Sequence, residues 1–369
     1  MSQEVLRNRP PVVEYWKSDF HTTEPHTPVL PYLWEYTQLH EMLIEARDSI
    51  SAMDAERRLL CLSNPGLPGQ PFAATATMLA DLQLLRPGER APAHRHSTSS
   101  VRLCLEGHGA YTMVEEEKCP MERGDVILNP VWAWHHHGNE GNEDVIWMDV
   151  LDVPFVNSLG SIIYDYDYAK EGDSDKHFIT PRSGASRSDD LFGSGGVVPK
   201  YARMGQKQQP QVTYKYARMR ESLERMKSYE MDPYDGYVAE YVNSATGRPT
   251  IPTMSVAMQL MPNGTPLAPH RHTSSTVYCV VEGNGYTEIA GKRFDWNRND
   301  IFVVPPWAWH RHVNAGDKDA VLFSVTDAQP IQLLGFYREE GQDPEGKAFP
   351  IKRDYTTLAW RTHEYDPLN

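Results

Sequence analysis

The chain contains an internal repeat in which a cluster of histidines occurs once in each half. Residues 88–96 read Gly-Glu-Arg-Ala-Pro-Ala-His-Arg-His, and residues 264–272 read Gly-Thr-Pro-Leu-Ala-Pro-His-Arg-His. Each copy is followed by Trp-Ala-Trp-His, which ends at His135 in the first copy and at His310 in the second. Because several independent features recur in the same order, the sequence predicts two copies of one domain.

Length, composition and charge restrict the class of protein. The chain has 369 residues, 40% of them hydrophobic, and its four cysteines form no Cys-x2-Cys pair, so we expect two ordinary domains with reduced thiols. The formal net charge is −14 and there is no basic cluster, which argues against a nucleic-acid partner. No signal-peptide pattern and no apolar run of roughly 20 residues is present, which predicts a cytoplasmic protein without a membrane partner.

Two segments outside the repeat have helical spacing. Residues 31–47 begin with proline and predict a packing helix whose apolar positions are Tyr36, Leu39, Met42, Leu43 and Ala46. Residues 183–196 are rich in Ser and Gly and predict an exposed loop. A second amphipathic helix is expected after this loop, with one apolar stripe formed by Tyr216, Met219, Leu223 and Met226.

Inside each repeat, short β-branched or alternating runs are separated by Gly and Pro. This pattern predicts a small β-barrel or double-sheet roll in each copy, so the fold class is mainly β with added helices. The predicted segments are an N-terminal helical part (1–60), a first domain (61–157), a connecting loop and helix (158–240), a second domain (241–340) and a C-terminal tail (341–369).

The histidines of the first copy have the spacing of metal ligands. Side chains alternate along a strand, so His94 and His96 point to one face, and His135 is expected to reach them from a facing strand. Three neutral imidazoles suit Fe, Zn, Cu or Ni, and they leave open positions, which is typical of a catalytic ion. His137 shares the face of His135 and is a candidate proton carrier, whereas His136 is expected to face away.

Several motifs resemble those of a known family. Gly-x5-His-x-His followed by Gly124-x5-Pro130 and His135-x3-Asn139 resembles the cupin fold, and the duplication resembles a bicupin with two double-stranded β-helix barrels. From about Pro31 to Glu340, the chain resembles the gentisate 1,2-dioxygenase family, which includes enzymes that open salicylate and 1-hydroxy-2-naphthoate. The segments that carry this resemblance are Glu56-Arg57-Arg58 before Asn64-Pro-Gly, His94-Arg-His-Ser-x3-Val-Arg102, Trp132-x-Trp-His135-x-His-Gly-Asn-Glu and Trp147-Met-Asp149-Val-Leu-Asp152-Val-Pro.

The resemblance implies a cofactor, a reaction and an assembly. Fe(II) on His94, His96 and His135 would bind an aromatic 2-hydroxy acid and O2, and the ring would open between the carboxyl- and hydroxyl-bearing carbons. Neither copy has the glutamate that many cupins place shortly after the second histidine, which disfavours manganese chemistry of the oxalate decarboxylase kind. We also expect a homo-oligomer, specifically a tetramer.

The two copies differ at charged positions, and this difference predicts which of them is catalytic. Tyr278, Gly236 and Ser324 of the second copy correspond to three charged residues of the first, namely Arg102, Arg57 and Asp149. Arginine can bind a carboxylate through two parallel hydrogen bonds, and the resemblance favours Arg57 and Arg102 for this role. Other expected substrate contacts are Gln83, Asp81 and Trp132, while Asp149 or His137 would move a proton.

Several alternatives remain open from the sequence. Arg58 is as good a candidate as Arg57, and Arg102 could form an ion pair with Asp149 or Asp81 that only stabilises the barrel. Gentisate is the first candidate substrate, but Asp81 stands where the family is expected to have a small neutral residue. Salicylate, substituted salicylates and 1-hydroxy-2-naphthoate are therefore alternatives.

Two further alternatives concern the function as a whole and the second copy. A non-catalytic metal-binding bicupin and a metal-dependent isomerase or decarboxylase are competing functions, because one fold can host many activities. The second triad, His270, His272 and His310, either holds a second metal ion or consists of imidazoles linked through water.

Overall fold

Two antiparallel β-barrels of the same topology form the molecule. The computed structural model describes residues 22–50, 58–168, 177–181, 187–194, 197–200 and 210–351. The helices are α1 (Tyr36–Ser49), α2 (Val153–Ser158), α3 (Arg187–Phe192), α4 (Tyr216–Met226) and α5 (Ala328–Leu333). None of the helices in these ranges is long and apolar enough to cross a membrane.

The strands follow the repeat. Those up to the connecting segment are β1 (Tyr32–Trp34), β2 (Leu59–Cys61), β3 (Leu79–Leu85), β4 (Arg90–His96), β5 (Ser100–Glu106), β6 (Ala110–Val114), β7 (Glu117–Pro120), β8 (Val126–Asn129), β9 (His135–Asn139), β10 (Val145–Leu151) and β11 (Tyr164–Asp165). The remainder are β12 (Thr213–Tyr214), β13 (Tyr237–Glu240), β14 (Ser255–Met261), β15 (His270–His272), β16 (Thr276–Glu282), β17 (Gly285–Ile289), β18 (Lys292–Trp296), β19 (Ile301–Val304), β20 (His310–Asn314), β21 (Ala320–Thr326), β22 (Glu339–Gln342) and β23 (Ala348–Pro350).

Each barrel consists of two sheets that face each other. In the first barrel their strand orders are β12-β8-β5-β10-β3-β2 and β11-β4-β9-β6-β7. In the second barrel the orders are β1-β19-β16-β21-β14-β13 and β18-β17-β20-β15-β22-β23. The prediction of a mainly β fold with one small barrel in each copy is therefore confirmed.

Each flanking segment completes the barrel of the other copy. Strand β1 precedes the first barrel but pairs with β19 of the second, whereas β12 precedes the second barrel but pairs with β8 of the first. The helices that follow β1 and β12 each begin beside an aspartate of the repeat. Asp300 accepts a hydrogen bond from Tyr36 N at 2.7 Å, and Asp125 accepts one from Tyr216 N at 2.9 Å. An anionic group at a helix start is favourable, because it satisfies free amides and the helix dipole.

The two barrels also share a core and exchange hydrogen bonds. One apolar cluster contains residues of both, for example Val101 and Leu103 with Val277 and Val281. Asp152, after β10, accepts a hydrogen bond from Thr253, and Asp327, after β21, accepts one from Thr77 at 2.5 Å. This reciprocal arrangement makes the two domains parts of one packed structure.

Two of the segment predictions need correction. The first helix begins at Tyr36 instead of Pro31, because Tyr32–Trp34 is used as an edge strand, and Met42 is exposed. Part of the predicted loop is helix α3, in which Ser188 bonds Glu117 and Asp189 bonds Arg218. The second predicted helix is confirmed as α4, with Met219 and Leu223 buried.

Candidate active site

The three predicted ligands of the first copy converge at one end of the first barrel. Strands β4 and β9 are antiparallel, and their register places His94 opposite His135, with His96 two residues further along β4. One ring nitrogen from each histidine lies within 4.8 Å of the others. The predicted triad is therefore assembled by pairing between strands that lie far apart in the sequence.

The triad is arranged to present neutral imidazoles. The Nδ1 atoms of His94, His96 and His135 donate to the carbonyl oxygens of Pro92, Thr98 and Ala133, at 3.3, 2.8 and 2.9 Å respectively. These hydrogen bonds fix the tautomer, so Nε2 of each ring is left to bind an ion. Burial, and then the neighbouring His94 and His96, hold the pKa of His135 well below its ordinary value. The donor set therefore fits a divalent transition metal.

A row of charged side chains crosses the sheet beside the triad. Strand β10 lies between β3 and β5, and its Asp149 is opposite Asp81 on one side and Arg102 on the other. Arg102 Nε donates to Asp149 Oδ1 at 2.9 Å, and Nη2 donates to Oδ2 at 2.6 Å. In the second barrel the same register positions are uncharged. They are Ala257, Ser324 and Tyr278. The first copy alone has the charged row, as the sequence comparison predicted.

Arg102 is held on several sides within the barrel. It is buried, its Nη1 donates to Thr112 Oγ1 at 2.6 Å and to His137 Nδ1 at 2.6 Å, and its guanidinium lies 4.5 Å from the Trp147 ring centre. Burial, and then the charge of Arg102, keep the pKa of His137 well below its ordinary value, so the ring is neutral. The ion pair with Asp149 that the sequence left open is thus present.

The two histidines beside His135 point in opposite directions, as predicted. The ring of His137 lies 5.8 Å from that of His135 inside the barrel. The ring of His136 packs on Tyr111 and Phe178, and its Nδ1 accepts a hydrogen bond from Ile179 N at 3.1 Å. His136 therefore belongs to the outer packing of the barrel.

Asp81 is a buried acid with one carboxylate oxygen that lacks a protein partner. Its side chain is 4% exposed, and Oδ1 has no hydrogen bond among the described residues. Burial raises the pKa of Asp81 well above its ordinary value of 3.8, and the charge of Asp149 raises it further. Asp81 is therefore a candidate hydrogen-bond donor or acceptor toward a ligand.

The triad and the charged row line one cavity of about 150 Å3. A cavity of roughly this volume can hold a benzene-sized ring. Its walls combine polar groups with apolar side chains that suit an aromatic ligand. The lining residues are Leu59, Cys61, Leu79, Asp81, Gln83, His94, His96, Ser100, Arg102, Asn129, His135, His137, Asp149, Leu151, Val153, Tyr164 and Tyr166.

Two tyrosines of this cavity were not identified from the sequence. Tyr164 belongs to β11, where it pairs opposite His96, and its ring lies 5.4 Å from that of His96. Tyr166 lies 6.0 Å from the His94 ring and stacks on Tyr164. The alternating Tyr-Asp-Tyr-Asp-Tyr of residues 164–168 is a strand-like signal that could have indicated them.

Three other predicted contacts have different outcomes. Arg57 lies outside the described residues. Arg58 does not line the cavity, because its guanidinium is buried against the carbonyl oxygens of Ile50 and Leu84 and the carboxylate of Glu89. Trp132 is also absent from the cavity lining: it has a φ of 63° in the turn before β9, is 37% exposed and stacks against Arg95.

The second triad has the same geometry as the first. The rings of His270 and His272 are 5.7 Å apart, like those of His94 and His96, and His310 lies 4.2 Å from His270 and 5.0 Å from His272. Here, however, Tyr278 stacks on Phe302 at 4.9 Å, so aromatic packing replaces the buried arginine. The second site therefore lacks the charged row that accompanies the first.

Comparison with known proteins identifies the family. The family model described as "Cupin domain" matches residues 81–151 and 256–326, which are the two barrels. The chain is 40% identical to gentisate 1,2 dioxygenase 1 of Aquipseudomonas alcaligenes over 86% of this chain and 89% of the relative. The chain belongs to the gentisate 1,2-dioxygenase family. It is thus a bicupin and a ring-cleaving dioxygenase of the gentisate/salicylate 1,2-dioxygenase type.

Other members of the family act on different aromatic acids. A 5-aminosalicylate 1,2-dioxygenase from a Comamonas species is 37% identical over 90% of this chain and 87% of the relative. The crystal structure of a salicylate 1,2-dioxygenase from Pseudaminobacter salicylatoxidans matches with a TM-score of 0.81 and 28% identity, covering 90% of this chain and 94% of that one. Adducts of that enzyme with gentisate have also been crystallised. Membership therefore establishes the reaction type and leaves several substrate classes to compare.

Proposed function

We propose that this dioxygenase uses Fe(II) to open gentisate between its carboxyl- and hydroxyl-bearing carbons. The main support is that an open three-histidine site and a buried arginine-aspartate pair line the same cavity. A site with three protein ligands keeps coordination positions for exogenous groups. The arginine is a carboxylate-binding group, and the apolar walls suit an aromatic ring.

His94, His96 and His135 would hold the iron through their Nε2 atoms. Imidazole ligands suit iron among other transition metals, so the donor set is compatible with Fe(II). A ferrous ion bound there supplies coordination positions for the acid and for O2, together with the redox chemistry of ring cleavage. The Nδ1 hydrogen bonds to Pro92 and Ala133 hold the rings in the orientation that this binding requires.

Arg102 and Asp149 would position the acid and manage a proton. Arg102 neutralises the carboxylate of the substrate, for which Arg57 is the proposed second cationic partner. Asp149 is the better proton acceptor, because burial and the charge of Arg102 lower the pKa of His137, and its Nδ1 already accepts a hydrogen bond from Arg102. His137 then acts as a support that orients the guanidinium.

Asp81 favours substrates with a polar group on the ring. A buried carboxylic acid without a partner for Oδ1 is costly, and a hydroxyl or amino substituent of a ligand would remove this cost. Gentisate and 5-aminosalicylate carry such a group in addition to the 2-hydroxy acid, whereas salicylate does not. Gln83, which lines the same wall, is the proposed second polar contact.

The size of the cavity favours one ring over two. The cavity of about 150 Å3 accommodates a benzene-sized ring, so 1-hydroxy-2-naphthoate would require the walls to move. 5-Aminosalicylate is therefore the first alternative substrate, since it shares the ring size and has a polar ring substituent. Hydroxynaphthoate and unsubstituted salicylate are the weaker alternatives.

A substrate panel tests this proposal. The protein is loaded with Fe(II) under anaerobic conditions and then mixed with O2 and gentisate, 5-aminosalicylate, salicylate or 1-hydroxy-2-naphthoate. Oxygen uptake and the absorbance of the ring-opened product give kcat/KM for each acid. We expect gentisate to have the highest kcat/KM. A higher value for salicylate or hydroxynaphthoate would contradict the proposal.

We propose a homotetramer as the assembly of the enzyme. Leu333, Leu334 and Phe336, at and after the end of α5, are more than half exposed, and such apolar groups are often covered by a partner subunit. Sedimentation equilibrium should give the mass of about four chains. A monomer mass at the working concentration of the enzyme would contradict this assembly.

A further inference from the structure

The second triad lies beside two carboxylates that come from outside the repeat motifs. We propose that His270, His272 and His310, with Asp235 and Glu339, bind a divalent transition-metal ion that stabilises the second barrel. This ion would have a structural role and would not contact the aromatic acid. The inference is independent of which acid the first barrel cleaves.

Two imidazoles of the second triad are oriented for metal binding. Nδ1 of His272 donates to Ser274 O at 2.9 Å and Nδ1 of His310 donates to Ala308 O at 2.9 Å, as His96 and His135 do in the first triad. The Nε2 atom of His310 is buried and has no hydrogen-bond partner in the described part of the chain. A buried acceptor of this kind is costly unless it is satisfied, and a metal ion would satisfy it.

The carboxylates approach the second triad at His270. Asp235 Oδ1 lies 3.6 Å from His270 Nε2, and ligand atoms of Asp235, His270 and Glu339 all lie within 4.8 Å of one another. Two ligands at about 2.1 Å from a tetrahedral ion are roughly 3.4 Å apart, so the first distance needs little adjustment. Glu339 is 7% exposed and lies opposite His272, where its carboxylate is well placed to balance the charge of a cation.

The register of the edge strands explains why the counterpart of Glu339 at the first site is a tyrosine. Glu339 on β22 is opposite His272, and at the equivalent position Tyr164 on β11 is opposite His96. The next residues also correspond, because Arg271 pairs with Glu340 at 2.7 Å just as Arg95 pairs with Asp165 at 2.7 Å. One strand position therefore provides a tyrosine beside the open first site and a carboxylate ligand beside the second.

The additional ligands indicate a closed site. Structural ions have all positions filled by protein groups, whereas catalytic ions keep a position for substrate or water. Asp235 and Glu339 would add two protein ligands beside His270, and Tyr278, stacked on Phe302, stands at the position that Arg102 occupies in the first barrel. The second ion would therefore be held more firmly than the first.

Metal content and location test the proposal on the full-length protein. The protein is stripped of metal, reconstituted separately with Fe(II) and with Zn(II), desalted and analysed by mass spectrometry of the metal. We expect about two ions per chain, and anomalous scattering from crystals should locate one at each triad. One ion per chain, located only at the first triad with both metals, would overturn the proposal even without any variant.

Three variants test the ligands, and one serves as a matched control. His310→Gln should lower the content from about two ions to about one and lower the melting temperature. Asp235→Asn and Glu339→Gln should each speed release of the second ion to a chelator by about tenfold or more. Glu340→Gln removes the neighbouring charge, which binds Arg271, and should leave release unchanged.

The control also decides the role of the carboxylates. If Asp235→Asn and Glu339→Gln release the second ion no faster than Glu340→Gln, the carboxylates are not ligands and the closed site is wrong. Unchanged metal content in His310→Gln would likewise exclude the second triad as the binding site.

Discussion

Arg102 and Asp149 form a buried ion pair with two parallel hydrogen bonds, Nε to Oδ1 at 2.9 Å and Nη2 to Oδ2 at 2.6 Å. The Nε–Nη2 edge of the guanidinium, which could bind a substrate carboxylate through two hydrogen bonds, is thus already bound to a carboxylate of the protein. An incoming acid must share Arg102 with Asp149 or displace it. The pair therefore links substrate binding to the position of the proposed proton acceptor.

Replacement of Arg102 by lysine should not restore the function that alanine removes. Lysine has a single ammonium group and cannot contact Asp149, Thr112 and a substrate carboxylate with the geometry of a guanidinium. We expect Arg102→Ala to lower the free energy of unfolding by about 3 to 5 kcal/mol, because Asp149 is left as an unpaired buried charge. Arg102→Lys should recover part of this stability while kcat/KM stays about 100-fold below wild type.

Steady-state kinetics and chemical unfolding, measured on the same preparations, separate these two effects. Wild-type kcat/KM in Arg102→Lys would mean that the residue only pairs with Asp149 and does not bind the acid.

Removal of any first-site ligand should remove both metal and activity. His135→Ala leaves two imidazoles, which cannot keep the affinity and geometry of a three-histidine site, and His94→Ala and His96→Ala should behave alike. His136→Ala is the matched control, because this neighbouring ring faces Tyr111 on the outside of the sheet. Crystallography measures the metal occupancy of the first site, and oxygen uptake measures turnover. Retained first-site metal with turnover in two of the three ligand variants contradicts the assignment.

Replacement of Asp81 should change substrate preference more than overall activity. Loss of a hydrogen bond to a buried partner costs about 1 to 3 kcal/mol, so Asp81→Ala should lower kcat/KM for gentisate about tenfold or more. The value for salicylate, which lacks the second ring hydroxyl, should change by no more than about threefold. Asp81→Asn keeps the side-chain volume and should have an intermediate effect. Equal losses for both acids would show that Asp81 only shapes the cavity.

Asp327 should make the free energy of unfolding depend on pH between 3.8, the ordinary pKa of an aspartate, and about 6, its pKa in the folded protein. Burial raises the pKa of Asp327 from 3.8 to about 6, although the hydrogen bonds from Thr77 and Ser275 oppose this shift. The folded protein then holds a proton that the unfolded chain has released, so the free energy of unfolding falls as the pH rises through this range. The shift corresponds to about 3 kcal/mol.

Unfolding measured from pH 4 to pH 7 tests this dependence. Asp327→Asn should reduce the fall in stability, whereas the exposed Asp317→Asn should keep it. Identical slopes for Asp327→Asn and the wild-type protein would show that another group is responsible.

The sequence predicted the triads because it contains both of the facts that they require. His94 and His96 share a strand face through the period of two, and the duplication relates His135 to His310. The differences between the copies also singled out Arg57, Arg102 and Asp149, and the register places the last two on adjacent strands. These predictions depended on local spacing and on an internal comparison, and the pairing of β4 with β9 then brings His135 to His94.

Other features were decided only by the tertiary structure. Tyr164 and Glu339 lie in segments without a repeat motif, and they reach the two triads because short edge strands pair with β4 and β15. The same long-range pairing places β1 on the second barrel and β12 on the first, which no local pattern in the sequence indicates. Local periodicity fixes which face of a strand a side chain occupies, but the neighbour of that strand is chosen by burial and hydrogen bonding over the whole chain.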